Sequence, residues 1–149
     1  MSTKIQGKIF SLQIHRNKRQ PMEKSTSLNL IKSFGIEGDI YGTNKSSREN
    51  NQILLMDKET LDNLNLSTGI IKENITTQNI VINSLKIGQK LSIGEDVILE
   101  ITKPCAPCSL MDEIRPGLHQ LLENQRGMLA KVEQSGVIKE NDSIELINL

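Results

Sequence analysis

The stretch "LKIGQKLSIGEDVILEITKP", residues 85–104, decides the fold class. It repeats one pattern: Ile-Gly, two or three polar residues, then a β-prone apolar run. This reads as two short antiparallel strands around a turn at Gly94–Asp96. Working outward, "MLAKVEQSGVIKENDSIELINL" (128–149) gives two more strands separated by turn residues. Towards the N-terminus, "KIQGKIFSLQI" (4–14) alternates apolar and polar residues through Ile5, Ile9 and Leu12, with some slippage, and reads as a first strand. "LNLI" (28–31) and "QILLM" (52–56) are further short strands, and "GIIKENITTQNIVI" (69–82) is β-prone but broken by polar residues.

Helices are few. "DKETLDNLN" (57–65) carries Asp57 as an N-cap, acidic residues in its first turn, and Leu61 and Leu64 on one face. "RPGLHQLLENQRG" (115–127) predicts a short helix with Pro116 near its start and Gly127 after its end. Many short strands with regular turn signals and two modest helices argue for a mainly β chain, a barrel or sandwich with helical decorations. There is no βα alternation that predicts a parallel sheet, and no repeat or linker that divides the chain. A single domain over 1–149 is expected.

Composition narrows the function. The 149 residues are 36% hydrophobic, enough for a real core. Lys plus Arg and Asp plus Glu both number 18, so the net charge is zero. That balance gives no electrostatic reason to propose a nucleic-acid or anionic-membrane partner. Phe10, Phe34 and Tyr41 are the only aromatic side chains, which argues against a platform for stacking successive bases. No apolar run approaches the roughly 20 residues of a membrane-spanning helix, and the N-terminus does not read as a signal peptide. A cytoplasmic location is expected, where thiols stay reduced.

Against that background "ITKPCAPCSL" (101–110) stands out, because it holds both cysteines, Cys105 and Cys108. A closed zinc site needs four protein ligands. Only His15 and His119 remain as partners, far apart and without ligand spacing. A thioredoxin-like pair needs a helix N-terminus in a βαβ frame, and "SLMDEIRPG" offers barely two turns before Pro116. Both thiols can instead be packed as small hydrophobes. Pro104 and Pro107 oppose burial in regular structure and favour a shaped turn just past a strand, where sites are often displayed.

Three other segments can contribute. "GIEGDIYG" (35–42) fails the dinucleotide fingerprint, since no helix follows it. It is either a tight turn or a loop whose N–H groups, around Gly38 and Asp39, approach an anion. "IKENITTQNI" (71–80) offers Lys72, Glu73, Asn74, Thr76 and Thr77, as a solvated edge strand or as a binding segment. Arg48 and Arg126 lie next to turn-like segments and can be surface residues or planar donors to a phosphate or a pterin. His119 reads as a helix-face residue.

Taken in order, these segments resemble the MOSC domain, the family named for the C-terminal domain of molybdenum-cofactor sulfurases. The likeness is carried by "GIEGDIYG", "RENNQILLMDKETL", "IKENITTQNI", "LEITKPCAPCSLM" and "RGMLAKVEQSGVIKENDSIEL". The resemblance implies a compact, mostly antiparallel MOSC-type β-barrel with a few short helices. It implies a reactive cysteine at the barrel mouth, which falls on Cys108, with Cys105 as its neighbour. That cysteine is expected either to ligate molybdenum of the pterin cofactor (molybdopterin) or to carry a persulfide. Gly38, Asp39, Arg48, Lys72, Asn74, Thr76 and Arg126 are the implied cofactor-binding residues. The family likeness also brings in pyridoxal phosphate binding, reduction of N-hydroxylated compounds, and a cysteine desulfurase or an electron-transfer protein as partner. The alternative open on residues alone is a redox or zinc module built on Cys105 and Cys108. This chain departs from the family pattern at Tyr41, where histidine is common, at Lys72, where arginine is frequent, and at Gln78–Asn79, where glycine often stands.

Overall fold

In the computed structural model, residues 5–147 are described. Eleven strands form: β1 (Gln6–Ile14), β2 (Glu23–Ser25), β3 (Ser27–Ile31), β4 (Gly35–Ile36), β5 (Ile53–Asp57), β6 (Ile75–Gln78), β7 (Lys90–Ile93), β8 (Val97–Pro104), β9 (Met128–Gln134), β10 (Gly136–Lys139) and β11 (Ser143–Ile147). Three short helices accompany them: α1 (Lys58–Asn63), α2 (Met111–Ile114) and α3 (Leu118–Leu121). The main sheet runs β11-β7-β8-β9-β5-β6-β1-β2, and β11 also pairs with β1. That extra pairing closes a barrel of β1, β11, β7, β8, β9, β5 and β6, with β2 appended. A separate sheet, β10-β3-β4, lies beside it.

The 85–104 stretch forms the hairpin its pattern predicts, with Ile93 opposite Val97. Leu91, Ile93, Val97, Leu99 and Ile101 are buried while Ser92, Ile98 and Glu100 are part-exposed. This is the period-two alternation of a sheet with one face in the core. The slippage in β1 has a structural cause. Its pairing with β6 shifts register between Ile9 and Ser11, so Phe10 is the extra residue of a bulge. Ile9 and Leu12, three apart in sequence, thereby both reach the core.

Three expectations need correction. The barrel is mixed, because β5 and β6 pair in parallel through Leu55–Ile75, Met56–Thr76 and Asp57–Thr77. The α1 segment is the crossover that parallel pairing requires. Asp57 begins α1 by accepting the Thr60 N–H at 2.9 Å. The C-terminal stretch holds three strands, β9 to β11, where two were expected. The helix expected over 115–127 is shorter, confined to Leu118–Leu121.

β5 is buried along its whole length. Ile53 and Leu55 join the barrel core. Met56 faces outward into a second apolar cluster with Leu61, Leu66, Ile71, Met111, Leu118 and Leu122. This outer cluster glues the 105–125 segment onto the barrel wall and so places both cysteines. Each fully buried leucine in it contributes about 1.5–3 kcal/mol by leaving water. No helix among the described residues is long and apolar enough to cross a membrane.

Candidate functional site

The site is built where β1, β5 and β9 end close together. β8 hands over to the cysteine loop at Pro104, which pairs with Met128 of β9. The Cys105 N–H then donates to the Gly127 carbonyl at 3.0 Å. Gly127 cannot carry a side chain: its φ is +101°, and a Cβ would sit 2.4 Å from the Leu55 carbonyl oxygen. This close approach seats the neighbouring Arg126 against β5, with only 6% of its surface exposed. The Cys108 carbonyl accepts the Met111 N–H at 3.0 Å, the turn that leads into α2. Both cysteines are free; Cys105 is half-buried and Cys108 is exposed.

A cleft of about 460 Å³ opens over this junction, inside the 300–1,000 Å³ range usual for small-molecule sites. Cys105, Cys108 and Arg126 line it together with His15, Lys18, Lys72 and Asn74. Leu54, Leu110, Met111 and Leu129 supply apolar wall, and Glu113 adds one carboxylate. Three cations against one acid make the cleft suited to an anionic ligand. Arg126 Nε and Nη1 and His15 Nε2 are buried and have no hydrogen-bond partner among the described residues. A buried donor left without a partner costs about 1–3 kcal/mol. Groups of this kind fit a role in gripping a bound molecule.

The thiols differ electrostatically. Burial pushes the Cys105 thiol above its ordinary value, and the Arg126 guanidinium pulls it partly back down. Glu73 lies behind the cleft, fully buried. Desolvation raises its carboxyl, although the Gly69 N–H, its own backbone, the Thr76 hydroxyl and Arg126 all favour the charged form.

The structure sorts the candidate residues. Cys105, Cys108, Lys72, Asn74 and Arg126 converge on the cleft. Lys72 does so from a left-handed backbone, φ +72°, at the end of the 69–72 turn. Gly38, Asp39, Arg48 and Thr76 do not line it. The amides of the 35–42 loop are used internally: Asp39 N–H to Ile36, Ile40 N–H to His15 and Gly42 N–H to Asp39. Asp39 is buried, its carboxylate accepting the His15 and Tyr41 N–H groups. Thr76 is also buried, giving its hydroxyl proton to Glu73 and accepting from Gln13. Arg48 is exposed on the 3₁₀ turn Ser46–Asn51 and lines a neighbouring groove. His119 is exposed, as its helix-face reading requires. No three His, Cys, Asp or Glu side chains among the described residues group as metal ligands.

His15, Lys18, Asn51 and Gln52 escape sequence reasoning. Lys18 and His15 sit in or beside a basic loop 90 residues before the cysteines, and nothing in the spacing connects them. The one available signal is that His15 ends a strand whose other polar residues, Ser11 and Gln13, are buried too.

Comparison with known proteins agrees with this architecture. The family model of the MOSC domain matches residues 32–145. The crystal structure of the YuaD protein from Bacillus subtilis superposes with a TM-score of 0.82 at 17% identity, over 98% of each chain. YiiM from Geobacillus stearothermophilus gives 0.76 at 16% identity, over 95% of this chain and 75% of the other. YiiM from Escherichia coli gives 0.67 at 15% identity, over 100% and 71%. At these identities the likeness establishes the fold. No curated protein matches the chain in sequence.

Proposed function

The chain belongs to the MOSC domain family, and from that premise we propose that its cleft binds the molybdenum cofactor, with the Cys108 thiolate as a ligand of the metal. The observation that carries the reading is the buried, unpartnered Arg126 guanidinium lining the same cleft as two free thiols. The residues fit the group. Arg126, Lys72 and Lys18 are donors suited to a phosphate. Asn74 and His15 Nε2 can address the polar edge of a pterin. Leu54, Met111 and Leu129 offer apolar surface for its ring. A thiolate is a soft ligand of the kind such a metal takes.

When bound, the cofactor would supply two-electron redox chemistry. The protein's own part is to orient: the outer core cluster fixes the cysteine loop, and Leu110 and Met111 line the cleft together with the two thiols. The reaction class proposed is reduction of an N-hydroxylated compound to the amine and water. It consumes two electrons and two protons, with the electrons delivered by an electron-transfer protein. Protein purified from a cofactor-producing host should hold close to one molybdenum per chain. Cys108→Ser should lose most of it, and Arg126→Ala should lower it while leaving the fold intact. Metal-free wild type from that host would overturn the reading.

A second reading is favoured by the two thiols sharing one cleft. Cys108 would accept a sulfur atom from a cysteine desulfurase as a persulfide. Cys105 would attack the inner sulfur, releasing hydrosulfide and leaving a disulfide. Intact mass after incubation with desulfurase and cysteine should rise by one sulfur atom in Cys105→Ser, where the persulfide cannot be resolved, and not in Cys108→Ser. No added sulfur in Cys105→Ser would remove this reading.

A further inference from the structure

A second charged group lies behind the cleft. Lys72 and Asn74 both line the cleft, whereas Glu73 between them does not. Its side chain is wholly buried. One carboxyl oxygen is fully used: Oε2 accepts the Gly69 N–H at 2.8 Å and the Thr76 hydroxyl at 2.9 Å. The direction of the Thr76 proton is fixed, because Thr76 Oγ1 accepts from Gln13 Nε2 at 3.1 Å and Gln13 is oriented in turn by the Ser11 hydroxyl. The other oxygen, Oε1, is buried and has no partner among the described residues. The Arg126 guanidinium is in the matching state, with Nε and Nη1 buried and unpartnered. The two side chains form no direct ion pair. Arg126 is nonetheless the charged side chain that acts on Glu73, and it favours the ionised carboxylate against the desolvation that opposes it.

We propose that Glu73 is a positioning residue that sets the anion affinity of the cleft through Arg126, so that an anion enters together with a proton that comes to rest on Glu73 Oε1. An ionised Glu73 offsets the charge of Arg126 from behind and repels an anion in front of it. A protonated Glu73 leaves that charge whole for the anion. The proton comes from solvent, and it belongs on Oε1 because Oε2 already accepts two hydrogen bonds. The coupling is reciprocal: an anion on Arg126 raises the proton affinity of Glu73, and protonation of Glu73 strengthens the anion by the same factor. The other titratable groups on the cleft are His15, Lys18, Lys72, Cys105, Cys108 and Glu113. The inference rests on the reading that the cleft takes an anion, and holds whether or not that anion is the cofactor.

Inorganic sulfate, which keeps its double charge across the pH range used, is the probe, and the purified full chain is labelled with carbon-13 at its glutamate carboxyls. The Glu73 signal is the one missing from Glu73→Gln, whose amide oxygen can still accept from Gly69 and Thr76. Its pH midpoint should lie higher in saturating sulfate than in sodium chloride of equal ionic strength. Sulfate should bind about fivefold or more tightly at pH 5 than at pH 8 by calorimetry, the lower end of ordinary coupling between sites. Glu73→Gln should lose most of that ratio, and the remainder should disappear with His15→Asn. Arg126→Met should raise the Glu73 midpoint without any ligand and abolish its response to sulfate. Should Glu73→Gln fail to fold, the signal whose midpoint Arg126→Met raises serves instead. A Glu73 midpoint unmoved by sulfate, or an equal pH ratio in wild type and Glu73→Gln, would overturn the proposal. Molybdenum content decides the cofactor reading separately: coupling without molybdenum removes that reading and leaves this one, and molybdenum without coupling does the reverse.

Discussion

The Asp39 carboxylate accepts the backbone N–H of His15 at 2.7 Å, across 24 residues of chain. Its Oδ2 accepts the Tyr41 N–H at 3.1 Å, and the Asn74 amide approaches Oδ1 at 3.4 Å. One buried acid outside the cleft thus fixes three residues that line it. Asp39→Ala would strand buried donors, at about 1–3 kcal/mol each. Urea unfolding should show a loss of roughly 2–4 kcal/mol, with Asp39→Asn losing less because it keeps one acceptor. A loss below about 0.5 kcal/mol would be that of an ordinary surface site and would contradict the role.

Gly127 should tolerate no replacement. Gly127→Ala combines a left-handed backbone with a Cβ only 2.4 Å from the Leu55 carbonyl. Strain of this type costs about 1–3 kcal/mol before the clash is counted. A drop in thermal midpoint is expected together with faster proteolysis of the 105–125 segment, since the Cys105 amide is held by the Gly127 carbonyl. An unchanged midpoint would contradict the packing.

Glu73 should make stability fall as pH rises. Its folded pKa is raised above the ordinary 4.5, chiefly by desolvation. Below about pH 4.5 both folded and unfolded chains hold the proton, and the stabilising contribution of the protonated carboxyl is fully present. As pH climbs towards and through the raised folded value, the unfolded chain releases its proton first, and that contribution is lost. Denaturant titrations at pH 5 and pH 8 should therefore differ more for wild type than for Glu73→Gln. Equal differences in the two proteins would contradict the assignment.

The two thiols should react in a fixed order. Cys108 is exposed, whereas Cys105 is half-buried and its pKa is raised by burial. The thiolate is the nucleophile, so iodoacetamide at neutral pH should label Cys108 first by peptide mapping. Arg126→Met removes the charge that lowers Cys105, and should slow its alkylation further relative to Cys108. Faster labelling of Cys105 than of Cys108 in wild type would contradict the geometry.

Local signals made much of the fold legible. The 85–104 hairpin follows from its alternation and its Gly94–Asp96 turn, and the Asp57 cap from its residue type. The parallel β5–β6 pair was illegible for a physical reason. The crossover over 58–74 carries a helix of only six residues, and a single strand–helix–strand passage is not the repeated alternation from which a parallel sheet is read. Of the site, Cys105 and Cys108 announced themselves by chemistry and spacing, while His15 and Lys18 reach the cleft through long-range pairing that no local pattern encodes. Asp39 and Thr76 belong to motif stretches and are buried, so they shape the site from behind.

X-ray absorption at the molybdenum edge, on protein purified from a cofactor-producing host, tests the cysteine assignment most directly. The account predicts one sulfur neighbour fewer around the metal in whatever fraction Cys108→Ser retains than in wild type, with Cys105→Ser unchanged. An identical sulfur count in wild type and Cys108→Ser would contradict it.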